Sequence, residues 1–273
     1  MKFVFQRFYN FLYMNKMRNF FSICIVLTFI FASLSNILIP ELSFAYRPLG
    51  TEDVGVAGKG VTQMEMSWEY LKWKKDDREQ IFLLVLIYGV SERLEASAEL
   101  PYLLQNPKER ASQEGIGDMN LVAKYLFLQE TEKTPAFTVK GMVKLDNGNF
   151  EKGLGSGDRD YSLFAVASKN RDNLSIHAHF GQTWIGNKNN KNMRDITLYG
   201  LAIDAGVTEN FHLLGEINGN RHPDIHEAND PRNALMGATY RISSRLTLDM
   251  AYKWGISDAS PEWNTSVGMT ITF

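Results

Sequence analysis

The sequence predicts an all-β fold, a transmembrane antiparallel β-barrel of about twelve strands in the outer membrane of a bacterium. Three observations predict it. Apolar and polar residues alternate with a period of two after residue 46, the connections between these stretches alternate between short and long, and the N terminus has the pattern of an export signal. A period of two is typical of strands, and strands can cross a membrane only as a closed barrel.

Residues 1–45 are predicted to be a signal peptide, with cleavage after Ala45. Four basic residues open the chain: Lys2, Arg7, Lys16 and Arg18. A mostly apolar stretch follows over 20–39, and Ser43 and Ala45 place small side chains before the cut. An uncleaved anchor is the alternative, since the apolar stretch approaches the ~20 residues of a helical span. Because the basic region is long, Met14 and Met17 are alternative starts to Met1.

The composition excludes several classes of protein. Cleavage would remove four of 29 basic and one of 31 acidic residues, which leaves a mildly acidic chain. No basic patch points to a nucleic-acid partner. The single cysteine, Cys24, lies in the signal, so the mature chain would have neither disulfides nor a thiolate metal site. We expect a periplasmic N-terminal segment over 46–60 and the outer-membrane barrel over 61–273.

Twelve alternating segments define the predicted strands, and most have about the 9 to 11 residues that a tilted membrane strand needs. They are 62–73, 80–88, 94–103, 118–128, 136–145, 161–169, 174–185, 196–207, 211–220, 233–242, 246–254 and 264–273. The even number permits closure by hairpins.

The connections differ in length on the two sides of the membrane. Three short ones repeat one pattern, in which a hydroxyl residue, Ser91, Thr208 or Ser243, precedes two polar residues and a large apolar one. Such a hydroxyl is expected to bond to the turn backbone. Four connections are longer and polar: 104–117, 146–160, 186–195 and 221–232. Short periplasmic turns and longer extracellular loops are typical of outer-membrane barrels.

Residue types indicate which face meets lipid. On the last strand Val267, Met269 and Ile271 share a face, and the chain stops on Phe273 of the same face. This ending predicts recognition by the outer-membrane assembly machinery, with membrane lipid as the other partner. A soluble barrel is the alternative. The second strand departs from the pattern because 81–87 is apolar on both faces, so its inner side is expected to pack on a loop, on other wall residues or on an apolar solute.

The polar face is predicted to line a lumen. Its charged and imidazole side chains are Glu65, Glu69, Glu95, Glu99, Lys124, Lys140, Lys144, His177, His179, Asp204, His212, Glu216, Asp249 and Lys253. They can form structural pairs, since a barrel wall must satisfy its own polar groups, or shape the field that a permeating solute meets. His177 and His179 could share a metal ion, but the sequence indicates no third ligand, so no metal site is predicted. No spacing of residues indicates a catalytic site or a cofactor.

Three stretches together resemble the outer-membrane family of the MetA pathway of phenol degradation. They are 47–53 with Gly55 and 58–60, then 115–121 with Lys124 and Tyr125, and 153–157 with Asp160, Ser168 and Lys169. The resemblance implies a barrel that moves small, aromatic or hydrophobic compounds across the outer membrane. No binding residue is carried over from it.

The function expected from this pattern is a passive channel for small-molecule solutes, without catalysis. A twelve-strand wall gives a lumen narrower than that of the 16-stranded porins. Two alternatives remain open at this point: an outer-membrane enzyme acting on lipid or lipopolysaccharide, and a structural or adhesive barrel. A rim cluster of serine, histidine and acid would favour the enzyme.

Overall fold

The computed structural model describes residues 47–186 and 192–273. The predicted signal peptide lies outside the described residues. In the described part of the chain no helix is long and apolar enough to cross a membrane.

Thirteen strands and one short 3-10 helix, Lys74–Asp76, make up the regular structure of these residues. The strands are β1 (Thr62–Lys72), β2 (Arg78–Ser91), β3 (Leu94–Asn106), β4 (Gln113–Ile116), β5 (Asn120–Leu128), β6 (Ala136–Lys144), β7 (Asp160–Arg171), β8 (Leu174–Trp184), β9 (Ile196–Gly206), β10 (Phe211–Asn220), β11 (Arg232–Ser243), β12 (Leu246–Gly255) and β13 (Trp263–Thr272).

Twelve of these strands close into one antiparallel ring. Each strand pairs with its neighbour along the chain, and β1 pairs with β13, with Met66 opposite Met269. The predicted twelve-strand barrel is therefore confirmed. The short β4 was not predicted: it folds back onto the end of β3, where Tyr102 lies opposite Ile116, and stands outside the ring. Closure gives each of the twelve ring strands a paired neighbour on both sides, as a lipid environment requires.

The repeated short turn behaves as its hydroxyl residues predict. Ser91 Oγ accepts a hydrogen bond from Arg93 N at 3.3 Å, and Ser243 Oγ accepts one from Arg245 N at 3.2 Å. Thr208 Oγ1 accepts from both Asn210 N and Phe211 N. These bonds tie the turn backbone locally, so hairpins close in few residues at this end of the barrel.

The outer surface of the ring is apolar, whereas its inner surface is largely polar. On β7 the exposed Tyr161 and Leu163 alternate with the buried Ser162 and Phe164. Large apolar side chains elsewhere on the outside are also exposed, Met250 by 59%. A contiguous apolar band of this kind belongs against lipid, which establishes the transmembrane barrel.

The second strand is apolar on its inner face because it packs on the chain's own N-terminal residues. Val85 and Ile87 form a buried cluster with Ala57 and Val61, and Leu83 packs against it. The inner side of this strand was expected to pack on a loop, on other wall residues or on an apolar solute. The structure shows it packed on a segment of the chain that is not a strand.

Candidate functional site

Residues 47–61, the inner segment, lie inside the barrel. Four of their backbone N–H groups donate to side chains of four strands: Gly50 N to Glu216 Oε2 (2.8 Å), Glu52 N to His179 Nδ1 (3.0 Å), Val54 N to Ser168 Oγ (3.2 Å) and Ala57 N to Glu95 Oε2 (2.6 Å). A segment that contacts one face of β3, β7, β8 and β10 of a closed ring occupies its lumen. The sequence did not predict these contacts, which join residues 38 to 166 positions apart.

Two lysines of the wall hold the acidic part of the inner segment. Lys124 and Lys140 lie directly opposite each other on β5 and β6. The Lys140 ammonium is 2.6 Å from Glu52 Oε1. The Lys124 ammonium is 3.9 Å from Glu52 Oε2 and 3.6 Å from Asp53 Oδ1. Lys124 is almost fully buried, and a buried ammonium requires such partners.

The basic end of the segment meets an acidic patch across the lumen. Arg47 lies 4.0 Å from Glu69 Oε1 on β1 and 3.8 Å from Asp249 Oδ1 on β12. In the ring, β12 is six strands from β6 in either direction, so Asp249 faces Lys140 across the barrel. The inner segment therefore spans the lumen with its positive end on an acidic wall and its negative part on a basic one.

Wall glycines make room for the segment. A Cβ at Gly200 of β9 would lie 2.3 Å from Thr51 Oγ1, and one at Gly89 of β2 would lie 1.8 Å from Gly58 O. The Gly89 backbone also donates to Val61 O at 2.9 Å. Real side chains do not fit at such separations, so these positions require glycine for close backbone approach.

A group of buried polar atoms borders the Arg47 end of the segment. Among the described residues, the following have no hydrogen-bond partner: Arg47 Nε, Thr51 Oγ1, Glu65 Oε1, Ser67 Oγ, both carboxylate oxygens of Asp249, and Thr270 Oγ1. Buried polar atoms in proteins are paired, and where no protein group reaches them ordered water does so. This side of the lumen is therefore polar and differs from an apolar core.

Cavities lie at both ends of the barrel. A cavity of about 770 Å³ at the loop end has walls that include Trp73, Arg110 and Phe150. A second, of about 1130 Å³, lies at the turn end, where Asp53 and Val56 of the inner segment form part of its wall. The inner segment thus forms part of the wall of the turn-side cavity.

The imidazoles of the turn-side half lie in short polar pairs. Ser168 Oγ and His177 Nδ1 are 2.8 Å apart, and His212 Nδ1 and Asp204 Oδ1 are 2.7 Å apart. His177 and His212 both line the turn-side cavity. No group of three or more His, Cys, Asp or Glu suited to a metal ion occurs in the described ranges.

The other predicted site residues lie nearer the loop end. Glu99 accepts a hydrogen bond from Asn120 at 2.7 Å, and Lys253 is half-buried opposite Asn264. Lys144 lies 2.7 Å from Asp160 and 3.5 Å from Asp118.

The glycine-rich stretch 153–157 is held by Asp118. The Asp118 carboxylate accepts hydrogen bonds from Gly148 N and Ser156 N, each at 2.8 Å. A Cβ at Gly155 would lie 2.5 Å from Asp118 Oδ1, so the glycine allows this approach. Two of the stretches that carry the family resemblance, 115–121 and 153–157, are therefore joined by the hydrogen bonds of Asp118, which we call the Asp118 clamp. The third stretch, within 47–60, belongs to the inner segment.

Sequence reasoning missed Arg47, Glu52 and Asp53 as occupants of the lumen. A signal was present in the second strand, whose inner face is apolar and so needed an apolar partner. The pattern could not name the partner, because alternation reports faces and not long-range contacts.

A match over nearly the whole described chain shows the family. Residues 45–273 match the family described as "Putative MetA-pathway of phenol degradation". The chain belongs to this family. No curated protein matches it.

Solved structures share the fold at low identity. The COG4313 outer membrane channel from Pseudomonas putida F1 is 13% identical, with a TM-score of 0.70 over 83% of this chain and 100% of that one. The KdgM porin is 11% identical, with a TM-score of 0.55 over 77% of this chain and 99% of that one. A structure of KdgM in complex with disordered oligogalacturonate has a TM-score of 0.52 at 10% identity, over 77% of this chain and 99% of that one. This family member thus has the architecture of outer-membrane barrels.

Proposed function

We propose that this barrel is an outer-membrane channel for passive uptake of small solutes, aromatic and hydrophobic compounds among them, and that the inner segment closes it in the state described. One observation carries the proposal. The contacts that hold the inner segment among the described residues are hydrogen bonds, ion pairs and a small apolar cluster, all of which can break and re-form. A lumen filled in this way differs from a solid core, because its filling can leave without unfolding the wall.

The fourteen charged and imidazole residues predicted from the sequence line the pathway in this proposal. When the inner segment is in place, Lys140, Asp249 and several others bind it. Once it leaves, the same groups face the solute and set the field that it crosses. The chain reaches its membrane through the signal peptide over 1–45 and is inserted by the assembly machinery through the strand ending at Phe273.

Catalysis is not part of this proposal. Ser168 and His177 are within hydrogen-bond distance, but the serine hydroxyl also accepts a hydrogen bond from Val54 N of the inner segment. The pair lies at the turn-side cavity, away from the loop rim where a lipid substrate would enter. A nucleophile covered by backbone in this way is poorly placed for attack.

The test is single-channel conductance of the refolded chain 46–273 in a planar bilayer, with and without phenol. The matched variant is Arg47→Gln with Glu52→Gln, which removes one charge of each sign and both ends of the bridge across the lumen. We expect discrete conductance steps that phenol blocks, and more frequent openings in the variant. A variant that resists unfolding by SDS and still conducts nothing would contradict a channel.

A further inference from the structure

We propose that Lys124, Lys140 and Phe164 form a binding site for a small aromatic carboxylate inside the barrel, which the Glu52 side chain of the inner segment occupies in the closed state. This inference rests on the proposed function and names a solute class for it. Glu52 is a carboxylate on the displaceable inner segment, and it contacts the ammonium groups of two lysines of the wall.

The lysine pair belongs to the wall and persists when the segment leaves. Lys124 and Lys140 are opposite each other on neighbouring strands, and both face the lumen. Their contacts with Glu52 and Asp53 are the ion pairs at 2.6 to 3.9 Å given above. The ion pairs of the two ammonium groups with Glu52 and Asp53 are lost when the segment leaves, while the wall carboxylate of Glu95, opposite Lys124 on β3, remains. Because neighbouring ammonium groups in a narrow lumen repel and lose hydration, an incoming anion can take the place that Glu52 leaves on them.

An aromatic surface adjoins the lysines. Phe164 lies opposite Lys140 on β7, and the Lys140 ammonium is 5.6 Å from the Phe164 ring centre. The His179 ring meets the Phe164 ring edge to face at 5.8 Å. Gly181 gives this ring its space, since a Cβ there would lie 2.3 Å from Phe164 Cδ1. A flat ring bearing a carboxylate would place its charge on the lysines and its edge or face on Phe164.

Competition with the segment explains how the closed state and solute binding are connected. Glu52 is tethered, so its effective concentration at the lysines is of the millimolar order that linked groups reach, and a free carboxylate must exceed it. A solute that does so displaces the acidic half of the segment. Binding of the solute and opening of the lumen are then coupled, because the bound solute displaces part of the segment that closes the lumen.

The experiment measures binding of benzoate to the whole protein, purified from outer membranes in detergent, by calorimetry. Glu52→Gln should bind benzoate about tenfold or more tightly than the unaltered chain, since apparent affinity rises as the competing state is removed. Adding Lys140→Met to that variant should abolish the gain. Glu92→Gln is the matched control, because it removes one exposed carboxylate from the turn-side cavity without touching either lysine, and should bind like the unaltered chain.

Two neutral or non-aromatic probes resolve the two halves of the site. Benzamide, which lacks the charge, should gain nothing from Glu52→Gln. Cyclohexanecarboxylate should gain less than benzoate. Heat-modifiable migration on SDS gels checks that each variant is a folded barrel, and Lys124→Met in the Glu52→Gln background serves as a second loss variant if the Lys140 variant does not fold.

The outcomes separate this inference from the channel itself. Equal benzoate binding by Glu52→Gln and the unaltered chain, or an undiminished gain in the lysine variants, would overturn the site even if the barrel conducts. The tenfold gain and its loss with Lys140→Met would support the site, even for a barrel that shows no conductance and so fails as an open channel.

Discussion

The ammonium of Lys140 on β6 lies 2.6 Å from the carboxylate of Glu52, and this ion pair fastens the N-terminal segment to the barrel wall. A charge-assisted bond at this distance is among the stronger polar contacts in a protein. One partner is on a strand of the barrel and the other is on a segment without regular structure, so the pair can hold the segment against the wall and release it. We call this ion pair the latch.

Loss of the latch should open the channel more often. In Glu52→Gln the hydrogen bond to a charged group, worth about 1.5 to 3 kcal/mol, is weakened to a neutral one. We expect the open probability in single-channel recordings to rise about tenfold or more. Glu92→Gln is the control and should leave it unchanged. An open probability of Glu52→Gln equal to that of the unaltered chain would show that this pair does not restrain the segment.

Crowding at Gly89 should displace the turn-side end of the segment. In Gly89→Ala the new methyl would meet the Gly58 carbonyl at 1.8 Å, and overpacking of this kind costs about 1 to 3 kcal/mol. Hydrogen exchange of the Gly60 amide, which donates to Gly89 O at 2.8 Å, should accelerate. Gly215→Ala is the control, because nothing lies within 4 Å of a Cβ there. Unchanged exchange in Gly89→Ala would place the segment elsewhere.

The turn hydroxyl of Thr208 should contribute measurably to stability. Thr208→Ala removes the acceptor for two turn N–H groups, and we expect the free energy of unfolding to fall by about 0.5 to 1.5 kcal/mol. Urea unfolding of the barrel from lipid vesicles measures this. Thr208→Ser keeps the hydroxyl and should stay close to the unaltered chain, whereas an equal loss in both variants would assign the effect to the methyl group.

The clamp at Asp118 should protect the loop 147–157 from proteolysis. Asp118→Ala leaves Gly148 N and Ser156 N without their acceptor and opens space at Gly155. Trypsin should then cleave after Lys152 several-fold faster, because a loop held by fewer bonds opens more often. Glu151→Gln, an exposed change in the same loop, is the control. Equal cleavage rates in the three proteins would count against the clamp.

The carboxyl of Asp76, in the short helix at the loop end, should titrate at unusually low pH. Hydrogen bonds from Lys72 and Lys108 lower its pKa below the ordinary 3.8. A lowered pKa in the folded state means that these bonds are present above pH 3.8 and are lost as the pH falls through the lowered value. Carbon-13 NMR of the carboxyl should show this. Lys108→Met should move the pKa upward, and Lys152→Met, which removes a lysine of another loop, should not.

The twelve-strand barrel could be predicted from the amino-acid sequence alone. Period-two alternation, which a strand requires, marked all twelve strands of the ring, from β1 at Thr62–Lys72 to β13 at Trp263–Thr272. The turn hydroxyls were also readable, since their bonds are local: Thr208 reaches only two and three residues ahead. These features could be predicted because strand geometry imposes a period of two on the sequence, and because the turn bonds join residues that are close in the chain.

What fills the barrel, in contrast, depends on contacts that form when the ring of strands closes. The pairs of Arg47 with Asp249 and of Glu52 with Lys140 join residues far apart in the chain, and no spacing in the sequence encodes which charge meets which. The apolar inner face of β2 signalled a missing partner, but Ala57 and Val61 became that partner only because ring closure brought them to Val85 and Ile87. Alternation fixes the face of a side chain, whereas the group that it meets across the lumen depends on the closure of all twelve strands.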